Sequence, residues 1–148
     1  MNYKLVPYTE EYYEFVYNVK KNAYMKYVEE CWGNWNEEKQ RKYFADFINK
    51  VKNDAYIIKY DNQDIGFYNG ELIKDNTYEV GNICIIPEYQ GKGIGTKLLK
   101  DIINKYNDYN IEIQYFKQNL VGNLYRRLEF IPNGETEYHY QMIRLRRK

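Results

Sequence analysis

The sequence predicts an α/β domain with one mixed central sheet, antiparallel in its amino-terminal half, parallel at a strand pair in the middle, and flanked by about four helices. Three observations lead there. Apolar residues recur at helical spacing between Glu10 and Val51, strand-like segments follow one another from Ala55 to Ile86, and a strand, a helix and a strand succeed each other between Tyr78 and Tyr115. A chain of 148 residues has the size of one domain, so a single core over residues 1–148 is expected.

Lys4, Val6 and Tyr8 alternate with Tyr3, Leu5 and Pro7, which reads as a short strand closed by Pro7 and followed by a Thr9 helix cap. Tyr13, Phe15, Val16, Val19 and Tyr24 then recur near helical period, and a second helix runs from about Glu37 through Phe44, Phe47, Ile48 and Val51. The segment from Cys31 to Asn36 joins them as an aromatic elbow, with Glu37 and Glu38 suited to the positive end of a new helix. Strands are expected over Ala55 to Tyr60, Ile65 to Ile73 and Tyr78 to Ile86, with turns at Asp61 to Asp64 and Lys74 to Asn76. The third is apolar on both faces at Ile83, Cys84, Ile85 and Ile86, so it should be central and covered on both sides. Beyond a glycine-rich stretch, Ile94, Leu98, Leu99, Ile102 and Ile103 form one helical stripe, and Ile111, Ile113 and Tyr115 alternate as a strand. This βαβ unit should be right-handed with parallel strands. A helix over Asn119 to Leu128 and a strand over Tyr138 to Leu145 complete the reading.

Composition excludes several partner classes. With 22 basic and 21 acidic residues the net charge is +1, which gives no global field for nucleic acid or an anionic membrane. The basic cluster of Arg144, Arg146, Arg147 and Lys148 reads as a solvated strand end. Cys31 and Cys84 lack metal-ligand spacing and are too few for a disulfide scaffold, so no metal and a reduced, cytoplasmic setting are expected. No stretch approaches the ~20 apolar residues of a membrane span. A mean hydropathy of -0.84 looks too polar for a packed chain. It misleads, because 19 tyrosines score as hydrophilic while their rings pack into cores.

The chemistry concentrates at Gln90, Gly91, Lys92, Gly93, Ile94, Gly95 and Thr96, where a buried strand turns into an amphipathic helix. Alternating glycines let backbone N–H groups point outward together, and a helix amino terminus adds partial positive charge, so the segment suits an anion such as a pyrophosphate. A P-loop would need Lys-Ser/Thr after its last glycine, which is absent, and a dinucleotide fingerprint would need glycine where Thr96 stands. A loop that merely turns a strand into a helix would need fewer glycines.

Gln90, Gly93 and Gly95 match the Gln/Arg-x-x-Gly-x-Gly/Ala signature, and the segment resembles that of the GNAT superfamily of acyl-CoA-dependent N-acyltransferases. The strand and proline before it, Ile83 to Pro87, are similar too, and Asn119 to Phe130 resembles the family's second cofactor segment, which often ends Leu-Tyr-Glu-Arg-Leu-Gly-Phe. Glu129 departs from that pattern, standing where the family usually has a glycine that closes the helix.

The resemblance implies an N-acetyltransferase that uses acetyl-CoA as co-substrate, with direct attack by a primary amine in a ternary complex. It implies that the backbone of Ile83, Cys84 and Ile85 pairs with the pantetheine arm like an added strand. It also implies that the amides of Gln90 to Thr96 hold the pyrophosphate and that Asn119 and Tyr125 line the thiol end. Tyr125 matches the tyrosine that gives a proton to the leaving sulfur, and Glu79 falls where many members carry a glutamate that takes the amine proton. Cys84, set between isoleucines, reads as a small buried residue, not a nucleophile, and His139 as structural or exposed. Glu29, Glu30, Trp32 and Trp35 offer carboxylates and ring faces to a cationic acceptor, against the alternative of an ordinary capped helix pair. The acceptor is a small-molecule or peptide amine, and a homodimer stays open. The rival function is a non-enzymatic acyl-CoA sensor that keeps the glycine loop and has lost acceptor chemistry.

Overall fold

A computed structural model describes residues 2–74 and 76–147. Seven strands form it: β1 (Lys4–Pro7), β2 (Ala55–Tyr60), β3 (Gln63–Lys74), β4 (Thr77–Ile85), β5 (Asn110–Phe116), β6 (Ile131–Glu135) and β7 (His139–Arg144). Four helices accompany them: α1 (Tyr13–Trp32), α2 (Glu37–Val51), α3 (Ile94–Lys105) and α4 (Gly122–Arg127). The strands lie in one seven-stranded sheet in the order β1-β2-β3-β4-β5-β7-β6, and β4 runs parallel to β5. The mixed α/β architecture read from the sequence is therefore the one found.

The chain groups into two compact units, residues 1–69 with 82–95 and residues 70–81 with 96–148. In the first unit, β1 and β3 both pair antiparallel with β2. Asp61 and Asn62 have φ of 52° and 64°, the left-handed conformation a tight two-residue hairpin demands, so β3 begins at Gln63, earlier than the pattern from Ile65 suggested. Helix α2 is capped by the Asn36 side chain, which accepts from the Lys39 N–H at 2.9 Å. Thr9 does not act as the expected cap. Its hydroxyl donates to Glu11 at 3.1 Å, and a 3-10 turn at Glu10–Tyr12 precedes α1. Helix α1 also runs on through Cys31 and Trp32, and Gly33, at φ 94°, ends it. The core here is Val16, Tyr17 and Val19 of α1, Phe44 and Ile48 of α2, Ile57, Phe67 and Cys84, with Tyr13 and Tyr17 edge-on to Phe44 at 5.0 and 5.3 Å.

In the second unit, the parallel ladder runs from Thr77 opposite Asn110 to Glu79 opposite Glu112, and β5 pairs antiparallel with β7 from Ile111 opposite Arg144 to Phe116 opposite His139. The predicted α3 stripe is buried at Leu98, Leu99, Ile102 and Ile103. Helix α4 is shorter than the reading from Asn119, because the Asn119 carboxamide accepts from the Val121 N–H at 3.0 Å and turns the chain before the helix starts. Strand β6 was not anticipated, since Pro132 and Gly134 disguise an exposed edge strand. Asp75, expected in a turn, and Lys148, of the basic cluster, lie outside the described residues.

Candidate functional site

The glycine loop belongs to the first unit. Strand β4 ends at Ile85, Pro87 opens a 3-10 turn to Tyr89, and the Gln90 carboxamide folds back to donate to the Ile85 carbonyl at 2.7 Å. That hydrogen bond latches the loop to the end of the strand. Gly91 and Gly93 have φ of 74° and 82°, which side-chain-bearing residues adopt only at a cost. A Cβ built on either meets no atom within 4 Å. The loop thus turns bare backbone toward open space, with Lys92 exposed between the two glycines and α3 starting at a buried Ile94. Gly95 differs: a Cβ there would lie 3.4 Å from Ile85 Cδ1 and 4.0 Å from Ile83 Cγ2, so its bareness eases helix-on-strand packing. Thr96 is half-buried in the first turn of α3. A pyrophosphate fits this arrangement, because backbone N–H groups and a helix start are presented without intervening side chains.

Within β4, Ile83 and Ile85 are half-buried and Cys84 is buried. Cys84 turns its thiol toward α1, where Sγ lies 3.4 Å from the Tyr24 hydroxyl, and burial pushes the thiol pKa up. A buried thiol held protonated is a poor nucleophile. Tyr24 in turn donates to Asn82 at 2.9 Å, and Asn82 donates to the buried Asn69 at 2.8 Å. The sequence reading missed this polar chain inside an apolar core, and with it Lys20, one turn before Tyr24 on α1. The signal was a lysine and a tyrosine at i and i+4 on the face that Val16 and Val19 bury.

The second unit carries the titratable candidates. Glu79, exposed, sits at the last rung of the parallel ladder, and its pKa is raised, first by partial desolvation and then by the carboxylates of Glu71 and Glu112. Tyr125 lies in α4, half-buried, its ring edge-on to Tyr115 at 5.5 Å and 5.8 Å from Phe130. The end of α4 keeps the left-handed closure without glycine: Glu129 has φ 73°, its N–H donates to Arg126, and the Phe130 N–H donates to the Tyr125 carbonyl, both at 3.0 Å. Arg144 and Arg147 pair with the Glu129 carboxylate, so two members of the basic cluster are engaged there. His139 stacks on Phe116 at 4.3 Å, and burial lowers its pKa.

At the elbow, the Glu29 carboxylate accepts from the Trp35 N–H and the Trp35 indole donates to Glu37, each at 2.9 Å. Those contacts tie α1 to α2. Trp32 and Glu30 are exposed. Among the described residues, no three His, Cys, Asp or Glu side chains gather to hold a metal, and no helix is long and apolar enough to cross a membrane.

Residues 52–132 match the acetyltransferase (GNAT) domain family. No curated protein matches the sequence. Among solved structures, the chain is similar to a protein of Pyrococcus horikoshii OT3, with 22% identity over 99% of this chain and 100% of that one and a TM-score of 0.73. It is also similar to the PaiA N-acetyltransferase of Thermoplasma acidophilum in complex with coenzyme A, at 19% identity, 98% and 99% coverage and a TM-score of 0.69. A third likeness is to the ribosomal-protein-S18-alanine N-acetyltransferase of Escherichia coli, at 13% identity, 99% and 96% coverage and a TM-score of 0.70.

Proposed function

We propose that this chain, which belongs to the GNAT family of acetyltransferases, moves an acetyl group from acetyl-CoA to a primary amine by direct attack. The observation that carries the reading is the loop at Gly91 and Gly93, whose left-handed backbone leaves open space in front of bare amides just before α3 begins. The coenzyme A complex of the Thermoplasma N-acetyltransferase and the amine-directed names of two similar structures support the same co-substrate and acceptor class.

Acetyl-CoA supplies the activated acetyl thioester when bound. The amides of Gln90 through Thr96 bind its pyrophosphate, while Gln90, spent on the Ile85 carbonyl, contributes order through its side chain. Backbone groups of Ile83, Cys84 and Ile85 align the pantetheine arm as an added strand would, and a β4 N–H near Cys84 polarises the carbonyl. Asn119 lines the thiol end. Tyr125 gives its proton to the departing sulfur; a phenol with pKa about 10 serves a thiolate of about 8.5 only when held in place, and the closure at Glu129 and Phe130 holds it. Glu79, its pKa raised by partial desolvation and neighbouring carboxylates, accepts the proton of the incoming amine. Cys84, buried and protonated, takes no covalent part.

Release of free thiol from acetyl-CoA across a panel of amines tests the reading. Amine-dependent release is expected. Stabilisation of the protein by acetyl-CoA with no release on any amine would make it a sensor instead.

A further inference from the structure

Lys20 stands on the face of α1 that turns to β4, one turn from Tyr24. Its Nζ lies 3.6 Å from the centre of the Phe47 ring and 5.7 Å from that of Tyr24, whose hydroxyl reaches both Cys84 and Asn82. The side chain is half-buried, with its ammonium over the face of Phe47. No carboxylate among the described residues pairs with it, although the adjacent Lys21 pairs with Glu37, and Arg41 pairs with Glu14 and Glu37. Burial pushes the Lys20 pKa down to about 8, and the one charge effect that opposes this comes from the Cys84 thiol.

At neutral pH an ammonium with that pKa is still mostly charged. A half-buried cation without a counter-charge is unfavourable, and ring faces offset the cost only in part. The same position could hold methionine or leucine and pack against Phe47. A cation kept there suits an anion that arrives from outside. One ammonium set against the rings of Phe47 and Tyr24 suits a single carboxylate; a phosphate dianion ordinarily draws an arginine fork or several amides.

We infer that Lys20 receives a carboxylate on the acceptor, so that the amine acetylated by this protein belongs to a small amino carboxylate such as a free amino acid. The inference rests on the reading of β4 as the strand that holds the acetyl group. Tyr24, one turn from Lys20, reaches β4 at Cys84 and Asn82, so amine and carboxylate must be separated by only a few bonds.

The experiment compares amino acids with the amines left when their carboxylates are removed, as acceptors for the wild-type chain, Lys20→Met and Lys20→Gln. Wild type should favour the amino acids by about 30-fold or more in kcat/KM, with the difference in KM, because a buried charge pair is lost without the carboxylate. Both variants should bring that preference to within about threefold, and Lys20→Met should melt no lower than wild type without ligand, since an unpaired half-buried charge has been removed. If the variants fail to fold, thermal shifts of wild type decide: N-acetylated amino acids should stabilise it and the matching N-acetylated amines should not. Turnover of amines with no preference for a carboxylate, or a preference that survives in Lys20→Met, overturns this inference and leaves acetyl transfer standing. Binding of acetyl-CoA with no turnover on any amine overturns both.

Discussion

Two of the places where this chain turns through left-handed backbone resolve it differently. The loop after β4 does so with Gly91 and Gly93, whose missing side chains leave open space, whereas α4 ends on Glu129, whose carboxylate pairs with Arg144 and Arg147. Backbone conformation alone explains neither choice. Strain of about 1–2 kcal/mol attends a left-handed residue with a Cβ, and surface ion pairs of up to ~1 kcal/mol each can offset it at Glu129. No such compensation helps in the loop, where any side chain would occupy the space proposed for the pyrophosphate. On the proposed function, glycine is required where the pyrophosphate would approach and dispensable where only the turn matters. The two sites would then divide the work, the loop offering backbone for binding and α4 carrying Tyr125 for chemistry.

That division predicts the largest effect on turnover at Tyr125. Tyr125→Phe should lower kcat by about 10- to 1000-fold and leave acetyl-CoA affinity nearly unchanged, measured on one preparation by steady-state kinetics and calorimetry. Affinity that falls together with turnover would show that α4 serves binding after all.

Glu79 gives a smaller effect with a defined sign. Its raised pKa means that it stays protonated to higher pH than an ordinary glutamate, so kcat should rise as pH climbs through that raised value, and Glu79→Gln should flatten this limb and lower the plateau by about 10- to 100-fold. The stability linkage runs the same way: the folded state holds the proton more tightly, so stability is fully present below the unfolded pKa and declines as pH rises through the folded one. A pH profile unchanged in Glu79→Gln would assign the base elsewhere.

At the helix end, Glu129→Gly trades relief of the left-handed strain against loss of the arginine pairs. Denaturant unfolding should register a change below about 1 kcal/mol, with kcat intact. A loss well beyond that would mean that the ion pairs hold α4 together.

The sequence made the repetitive parts of this fold legible. Strand β2 and the stripe at Ile94, Leu98, Leu99, Ile102 and Ile103 announce themselves because period and burial agree, and every residue of that stripe is buried. The place of the glycine loop between a buried strand and an amphipathic helix was legible too. What escaped depends on contacts distant in sequence. Strand β6 carries Pro132 and Gly134 and is held by pairing with β7, a partner no local pattern names. The Gly95 reading was incomplete for the same reason, because only the approach of Ile85 distinguishes it from Gly93. Lys20 is one of several lysines on its helix, and only the fold brings Phe47 and Tyr24 to its ammonium.

Calorimetric titration of acetyl-CoA into wild type, Gly93→Val and Gly95→Ala tests the central claim most directly. Wild type should bind; Gly93→Val, folded by circular dichroism, should lose ~100-fold or more in affinity, because a branched side chain at φ 82° both strains the loop and fills the space before its amides. Gly95→Ala should stay within about threefold of wild type, its methyl resting in ordinary contact with Ile85. Wild-type affinity in a folded Gly93→Val would contradict the assignment of the loop as the pyrophosphate site.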